Sequence, residues 1–159
     1  MSAPGDGPMQ QVPGFLFFDH VAISVRPGEL EAQVQAYQAM GFRELHREEV
    51  LGGDQVREVL LQVGDGPNLV QLLEPLNGDS PVAKQIEKNG GRGGLAHVAL
   101  RVLDIQKAFD YLREHGFKII DKAPRKGSRG TTVFFVHPKT TEHASFGYLL
   151  EVVQEGPHA

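Results

Sequence analysis

The chain has 159 residues, no cysteine and a net charge of −4 at neutral pH, from 16 basic and 20 acidic side chains. This length, together with 40% hydrophobic and 23% charged residues, is typical of one globular domain with its own apolar core. The absence of cysteine excludes disulfides, thiolate metal sites and a cysteine nucleophile, and the basic residues form no run that would favour nucleic acid or an anionic membrane as a partner.

The first 14 residues are rich in glycine and proline and have neither the basic start nor the apolar stretch of a secretory signal. We therefore expect residues 1–14 to form a disordered tail. No apolar segment approaches the ~20 residues that span a bilayer, and we expect a cytoplasmic protein.

The first half of the chain predicts a strand, a helix and three further strands. Apolar and β-branched residues alternate over 17–25, and apolar residues recur at helical spacing over 29–40, where Gly41 suits the helix end. Strand patterns separated by glycine-rich turns follow over 43–50, 55–63 and 68–74. Asp79-Ser80-Pro81 then begins a short connecting helix that ends near Lys88.

The second half follows a glycine-rich linker at 89–94 and repeats this order. A strand, a helix and three strands are predicted over 95–102, 104–115, 118–122, 131–136 and 147–154. The repeat is visible in the residues too, because Phe-Asp-His20-Val-Ala-Ile corresponds to Leu-Ala-His97-Val-Ala-Leu, with the histidines 77 positions apart. Such a repeat predicts two copies of one supersecondary unit.

The predicted architecture is α+β, with two tandem βαβββ modules that form a cupped mixed sheet and place the helices outside. Module one covers about 15–76 and module two about 94–155, with a linker helix at about 79–89. We expect both modules to lie within a single domain over 15–155.

Two histidines occupy equivalent positions in the two modules. Because side chains alternate along a strand, His20 shares a face with the small residues Ala22 and Ser24. His97 likewise shares a face with Ala99. The bulkier opposite faces would pack on the helices and leave both imidazoles in the cup. One such histidine alone would more often be a hydrogen-bonded core or surface residue, but a matched pair favours a shared metal ion.

The last strand of each module adds an oxygen donor. Glu151 lies inside the apolar run Leu-Leu-Glu-Val-Val, where a carboxylate is costly unless it is paired or bound to a cation. Gln71 occupies the corresponding strand of module one. With His20 and His97 they would form an N2O2 site for one divalent ion such as Co2+, Mn2+, Ni2+ or Zn2+. An ion pair of Glu151 with a neighbouring arginine or lysine is the alternative.

Glu58 is a further candidate. It shares a strand face with Val56 and Leu60 and could also point into the cup. The pattern alone is more typical of a solvated strand glutamate.

Several segments are informative in combination: Asp19-His20-Val-Ala-Ile, Leu45-His-Arg-Glu-Glu49, Gln55-Val-Arg-Glu58, Val70-Gln71-Leu-Leu-Glu-Pro-Leu76, Asp79-Ser-Pro-Val-Ala-Lys84, His97-Val-Ala and Phe135-Val-His137-Pro-Lys139. Through them the sequence resembles the methylmalonyl-CoA epimerases of the vicinal-oxygen-chelate superfamily, which also contains glyoxalase I and extradiol dioxygenases. The resemblance covers nearly all of 18–154.

The resemblance implies that His20, Gln71, His97 and Glu151 are metal ligands and that Glu58 is a catalytic base. It also implies inversion at C2 of methylmalonyl-CoA through an enolate. Glu58 and Glu151 would be the two bases that exchange a proton with C2, one on each face of the enolate. The expected partners are an acyl-CoA substrate and a second copy of the chain in a homodimer.

The chain departs from the family most clearly at 140–147, where the loop before the Glu151 strand is longer. This raises the alternative of a larger substrate, such as ethylmalonyl-CoA. Residues 125–131 are a candidate for holding the substrate carboxylate or the CoA phosphates, and an exposed basic turn is the alternative. The alternative functions are a glyoxalase I-like isomerase, an iron(II) dioxygenase that would use two histidines and one glutamate, and a non-catalytic small-molecule-binding or resistance protein of the same fold.

Overall fold

The computed structural model describes residues 14–139 and 142–156. The predicted disordered tail lies outside these residues apart from Gly14. The strands are β1 (Phe15–Ser24), β2 (Arg43–Val50), β3 (Val56–Gln62), β4 (Leu69–Pro75), β5 (Gly94–Val102), β6 (Arg125–Lys126), β7 (Thr132–Val136) and β8 (Leu149–Gln154). The helices are α1 (Leu30–Ala39), α2 (Pro81–Lys88) and α3 (Ile105–Glu114), and a 3-10 turn covers Ser128–Gly130.

Side-chain caps determine where two of the helices begin. The hydroxyl of Ser80 accepts the backbone N–H of Val82 at 3.2 Å, and Pro81 follows at the first helical position of α2. The carboxylate of Asp104 accepts the N–H of Lys107 at 3.1 Å at the start of α3. Each cap satisfies one of the backbone donors that a helix start leaves without an intrahelical partner, as the sequence predicts for α2.

The chain divides into two compact units, with boundaries between Asp19 and His20 and between His97 and Val98. We call His20–His97 the central unit, and we call the described residues before and after it the flanking unit. The single domain over 15–155 stays a prediction.

In the central unit, the strands lie in the order β2-β3-β4-β1. The β1–β4 pair is parallel and the other two pairs are antiparallel. One face of this sheet packs on α1, through the cluster Val25, Leu30, Val34, Val59, Leu61 and Leu72. Of the bulkier residues that alternate with His20 and Ala22, Val25 just after β1 is buried in this cluster and Ile23 packs against it, whereas Val21 is exposed.

The opposite face of the central unit holds the residues of interest, and we call it the site face. It packs on α2 through the cluster Ala22, Val56, Leu73, Val82, Ile86 and Ala96. Gln71 pairs with Ala22 across β4 and β1, and Glu58 pairs with Leu73 across β3 and β4. Because paired residues and alternate residues share a face, His20, Gln71 and Glu58 all belong to the site face.

In the flanking unit, β7 pairs antiparallel with both β6 and β8. Helix α3 buries its apolar stripe against these strands, in a cluster of Val102, Ile105, Ala108, Phe109, Leu112, Phe134, Val136 and Val152. The buried residues of α3 recur every three or four positions, as one face of an amphipathic helix requires. Within 14–139 and 142–156, no helix is both long and apolar enough to cross a bilayer.

The predicted strand at 118–122 is wrong. This segment meets β7 through an isolated bridge between Ile119 and Val136, flanked by the backbone bonds of Ile120 N–H to Phe135 O and of His137 N–H to Lys118 O. The ladder stops there because the carboxylate of Asp121 accepts the Phe135 N–H at 2.8 Å, in place of a backbone carbonyl. Regular pairing resumes only at β6.

Phe134→Ala is expected to destabilise the flanking unit by about 3–5 kcal/mol, because it removes a large buried ring and leaves a cavity. The Phe134 side chain is fully buried. Its ring packs edge-on against the ring of Phe109, with 5.3 Å between the two ring centroids. Denaturant unfolding of both proteins measures the difference. Leu103→Ala, at a position 65% exposed, is the control and should change stability by less than about 0.5 kcal/mol. Equal effects of the two substitutions would contradict this account of the core.

Candidate active site and metal-binding residues

The two repeated histidines meet in the central unit. His20 on β1 and His97 on β5 are both buried, and their Nε2 atoms lie 3.1 Å apart. The rings meet edge-on, with 73° between their planes. Strand alternation directs His20 to the site face beside Ala22, whose small side chain leaves room for an imidazole. The repeat in the sequence therefore corresponds to two adjacent nitrogen donors.

The environment keeps His97 neutral. Burial, which penalises the charged imidazolium, and to a smaller extent the adjacent His20 together lower the pKa of His97 to about 3. An imidazole that stays neutral near pH 7 keeps a ring-nitrogen lone pair for a metal ion. This protonation state is the one that metal binding requires.

Gln71 on β4 is oriented by Glu58. The Nε2 group of Gln71 donates a hydrogen bond to Oε1 of Glu58, which fixes which end of the amide is the oxygen. The Oε1 atom of Gln71 is buried and accepts no hydrogen bond from the described residues. A buried amide oxygen without a donor is costly, and a cation would satisfy it.

Glu58 on β3 is 2% exposed and lies on the site face with Gln71. The amide of Gln71 holds one of its carboxylate oxygens. The sequence pattern alone favoured a solvated glutamate here, and that interpretation is wrong. A buried carboxylate beside candidate metal ligands is a typical setting for a general base.

Glu151 lies in the flanking unit, at the centre of β8, and is 8% exposed. Its strand neighbours are apolar, and Phe135 is its partner in the register with β7. The expected burial of this carboxylate is confirmed. Its role as a metal ligand and its catalytic role stay predictions.

The donor set of the central unit fits a divalent ion. Two nitrogens bound to one ion at about 2.1 Å and at right angles would lie about 3 Å apart. The observed separation of the His20 and His97 Nε2 atoms is 3.1 Å. Gln71 adds an oxygen donor on the same sheet face, and a mixed nitrogen and oxygen set suits the borderline divalent ions.

The candidate anion-holding segment at 125–131 is already rich in ion pairs. The Nε of Arg125 donates to the carboxylate of Asp121 at 2.9 Å. The guanidinium of Arg129 lies 3.5 Å from the carboxylate of Asp19, which is fully buried. An anionic substrate group would have to compete with these carboxylates for both arginines.

Two residues near Glu58, His46 and Glu48, have no role that the sequence pattern predicts. Glu48 on β2 is the direct cross-strand partner of Glu58, and Oε1 of Glu48 lies 3.0 Å from Nε2 of His46. Alternation along β2 could have grouped His46 with Glu48. Their position against Glu58 depends on the β2–β3 register, which contains an irregularity between Glu44 and His46 and cannot be read from the sequence.

Comparisons with known proteins identify the superfamily of the chain. Residues 18–135 match the model of the glyoxalase, bleomycin resistance protein and dioxygenase superfamily. The chain belongs to this superfamily. Its members share the fold but not one reaction, so membership alone does not choose a substrate.

Relatives within the superfamily are more specific. Over 137 residues, the chain is 33% identical to the mitochondrial methylmalonyl-CoA epimerase of Bos taurus, a match that covers 86% of this chain and 74% of that protein. It is 41% identical over 71 residues to the ethylmalonyl-CoA/methylmalonyl-CoA epimerase of Cereibacter sphaeroides. The second match covers 44% of this chain and 52% of that protein, so it spans only about half of that relative. The resemblance to methylmalonyl-CoA epimerases is thus confirmed, and these relatives are isomerases.

A solved structure shows the same fold. A methylmalonyl-CoA epimerase in complex with methylmalonyl-CoA and NH4+ superimposes with a TM-score of 0.77 at 34% identity, over 90% of this chain and 99% of that one. The predicted α+β vicinal-oxygen-chelate fold is confirmed by this similarity and by the superfamily match.

Proposed function

We propose that this protein is a metal-dependent epimerase that interconverts the two C2 configurations of methylmalonyl-CoA. The observation that carries the proposal is the buried Glu58–Gln71 pair beside the two histidines. It joins a candidate base to a candidate metal ligand through one hydrogen bond. The names of the relatives supply the substrate class.

In the proposed reaction, Glu58 takes the proton from C2 on one face of the substrate, and Glu151 returns a proton on the other face. The proposed metal ligands are His20, Gln71, His97 and Glu151. A bound divalent ion would supply positive charge to oppose the negative charge that develops on the thioester oxygen. The Gln71 amide holds the Glu58 carboxylate in a fixed orientation, and burial of Glu58 excludes water that would weaken its basicity toward a carbon acid.

The acyl group is a separate part of the proposal. The named relative from Cereibacter sphaeroides acts on both ethylmalonyl-CoA and methylmalonyl-CoA, and the loop at 140–147 is longer than the family pattern. In its described part, the His143 ring stacks on Phe117, which follows α3, with 4.3 Å between the ring centroids. The Phe146 N–H donates to Pro138 O at 2.8 Å. We propose methylmalonyl-CoA as the substrate and ethylmalonyl-CoA as the first competitor to test.

Deuterium incorporation at C2 of methylmalonyl-CoA in D2O, followed by mass spectrometry, tests the function directly. Metal-loaded protein should exchange this hydrogen far faster than the spontaneous rate, and protein stripped with EDTA should not. Background exchange by fully metal-loaded protein would reject the substrate. Glutathione hemithioacetals would then test the glyoxalase-like alternative, and binding without turnover would indicate a sequestering protein.

We also propose a homodimer, because the resemblance to the family implies one. Sedimentation equilibrium at several protein concentrations would measure the mass in solution. A monomer at all concentrations would reject the dimer without bearing on the reaction.

A further inference from the structure

A two-base epimerase has to reset its bases after every turnover. If Glu58 accepts a proton from the substrate and a second acid donates one, the product leaves the two groups with reversed protonation. The next turnover in the same direction requires Glu58 to lose its proton to solvent. Glu58 is only 2% exposed, so this transfer needs a path. This requirement depends on the proposed function.

Two residues of β2, the strand next to Glu58, provide such a path. Glu48 faces Glu58 directly across β2 and β3, and Oε1 of Glu48 lies 3.0 Å from Nε2 of His46. One donor atom from each of His46, Glu48 and Glu58 lies within 4.8 Å of the other two. These separations permit proton transfer directly or through one water.

Solvent exposure increases from Glu58 to Glu48 and His46. The His46 and Glu48 side chains are 35% and 34% exposed, in contrast to the buried Glu58. The pair therefore connects a buried carboxylate with bulk water. A carboxylate and an imidazole can each accept one proton and release another, so both side chains are able to relay a proton.

Their strand neighbours have different partners. Arg47 pairs with Glu31 and Glu44, and Glu49 pairs with Arg57 at 3.1 Å. In the strand alternation, Arg47 and Glu49 belong to the sheet face opposite the site face. Of the four charged or titratable residues of β2 from 46 to 49, His46 and Glu48 are the two on the face of Glu58, and this agrees with a role specific to that side chain.

We propose that Glu48 and His46 form the proton path that returns Glu58 to its basic state after each turnover. Protonated Glu58 gives its proton to the Glu48 carboxylate, His46 takes it up, and water removes it from the imidazole. Each step breaks one O–H or N–H bond and forms another, so that the net change is transfer of one proton from Glu58 to solvent. Glu48 and His46 do not touch the substrate in this proposal. They affect the reaction only by removing the proton from Glu58.

The test is steady-state kinetics of Glu48→Gln, His46→Gln and the double variant with methylmalonyl-CoA. Resetting takes place after product leaves, so slowing it should lower kcat about tenfold or more while kcat/KM stays within about twofold. Added imidazole buffer should restore kcat by removing the proton directly. Substrate recovered from D2O before equilibrium should also contain less deuterium relative to product, because the Glu58 proton then returns to carbon instead of exchanging.

The controls separate this proposal from its alternatives. Glu49→Gln changes the same residue type at the next position, on the opposite face, and should leave kcat and imidazole dependence unaltered. A parallel fall of kcat and kcat/KM without imidazole rescue would mean that the pair only supports the fold or the shape of the site. Unchanged kinetics in the double variant would also overturn the path.

Both residues are partly exposed, and circular dichroism with an unfolding midpoint verifies that each variant folds. If Glu48→Gln does not fold, His46→Gln alone carries the test. An inactive unaltered protein would reject the proposed function itself, whereas an active protein with unaffected variants would reject the proton path alone.

Discussion

Glu58→Gln is expected to lower the rate of C2 proton exchange by about 10²- to 10⁴-fold, the usual contribution of a general base. In the unaltered protein, the Gln71 amide donates a hydrogen bond to the Glu58 carboxylate. Glutamine at position 58 keeps the shape of the side chain and still offers an oxygen to that amide. Gln71 should therefore keep its orientation. The substitution removes the basic oxygen and little else.

Two measurements on Glu58→Gln belong together. Deuterium exchange reports the loss of the base, and metal analysis of the same sample should show unchanged metal content. Glu49→Gln, at an exposed position paired with Arg57, should keep the exchange rate of the unaltered protein. Loss of metal from Glu58→Gln would mean that Glu58 is a ligand, and full exchange activity would mean that another group is the base.

Most of the fold follows from local patterns that can be read without a structure. The alternation that begins in β1 separates His20 and Ala22 from Ile23 and Val25, and the structure has this division because Ile23 and Val25 pack on α1. The cap at Ser80 likewise marks the start of α2. In both cases, the residues that predict the feature lie within a few positions of it. Strand alternation and helix capping are local properties of the backbone.

The predictions that failed depend on contacts between distant segments. The strand at 118–122 has strand-forming residues, but the Asp121 carboxylate takes the Phe135 N–H that a ladder would need. The burial of Glu58 depends on its pairing with Glu48 and Leu73. Pairing register is set by the turns and by the whole sheet, so a single strand sequence gives the face of a residue but not its neighbours.

His97→Ala is expected to remove the bound divalent ion and most of the exchange activity. His20 and His97 offer two nitrogens 3.1 Å apart. Losing one of them leaves a single nitrogen among the proposed ligands, which weakens the site for a borderline divalent ion. His97 is neutral because burial lowers its pKa to about 3, so near pH 7 metal binding should not have to displace a proton from it.

The measurement on His97→Ala is metal content after dialysis, beside the unaltered protein and His115→Ala, which changes an exposed histidine at the end of α3. The unaltered protein and His115→Ala should retain the ion, and His97→Ala should lose it while circular dichroism shows a folded chain. Stripped unaltered protein, reloaded separately with Co2+, Mn2+, Ni2+ and Zn2+, should regain exchange with at least one of them. Full exchange activity in the metal-free protein would reject metal dependence and leave Glu58 to act on the substrate without it, because a buried carboxylate can remove a proton whether or not an ion stabilises the resulting charge.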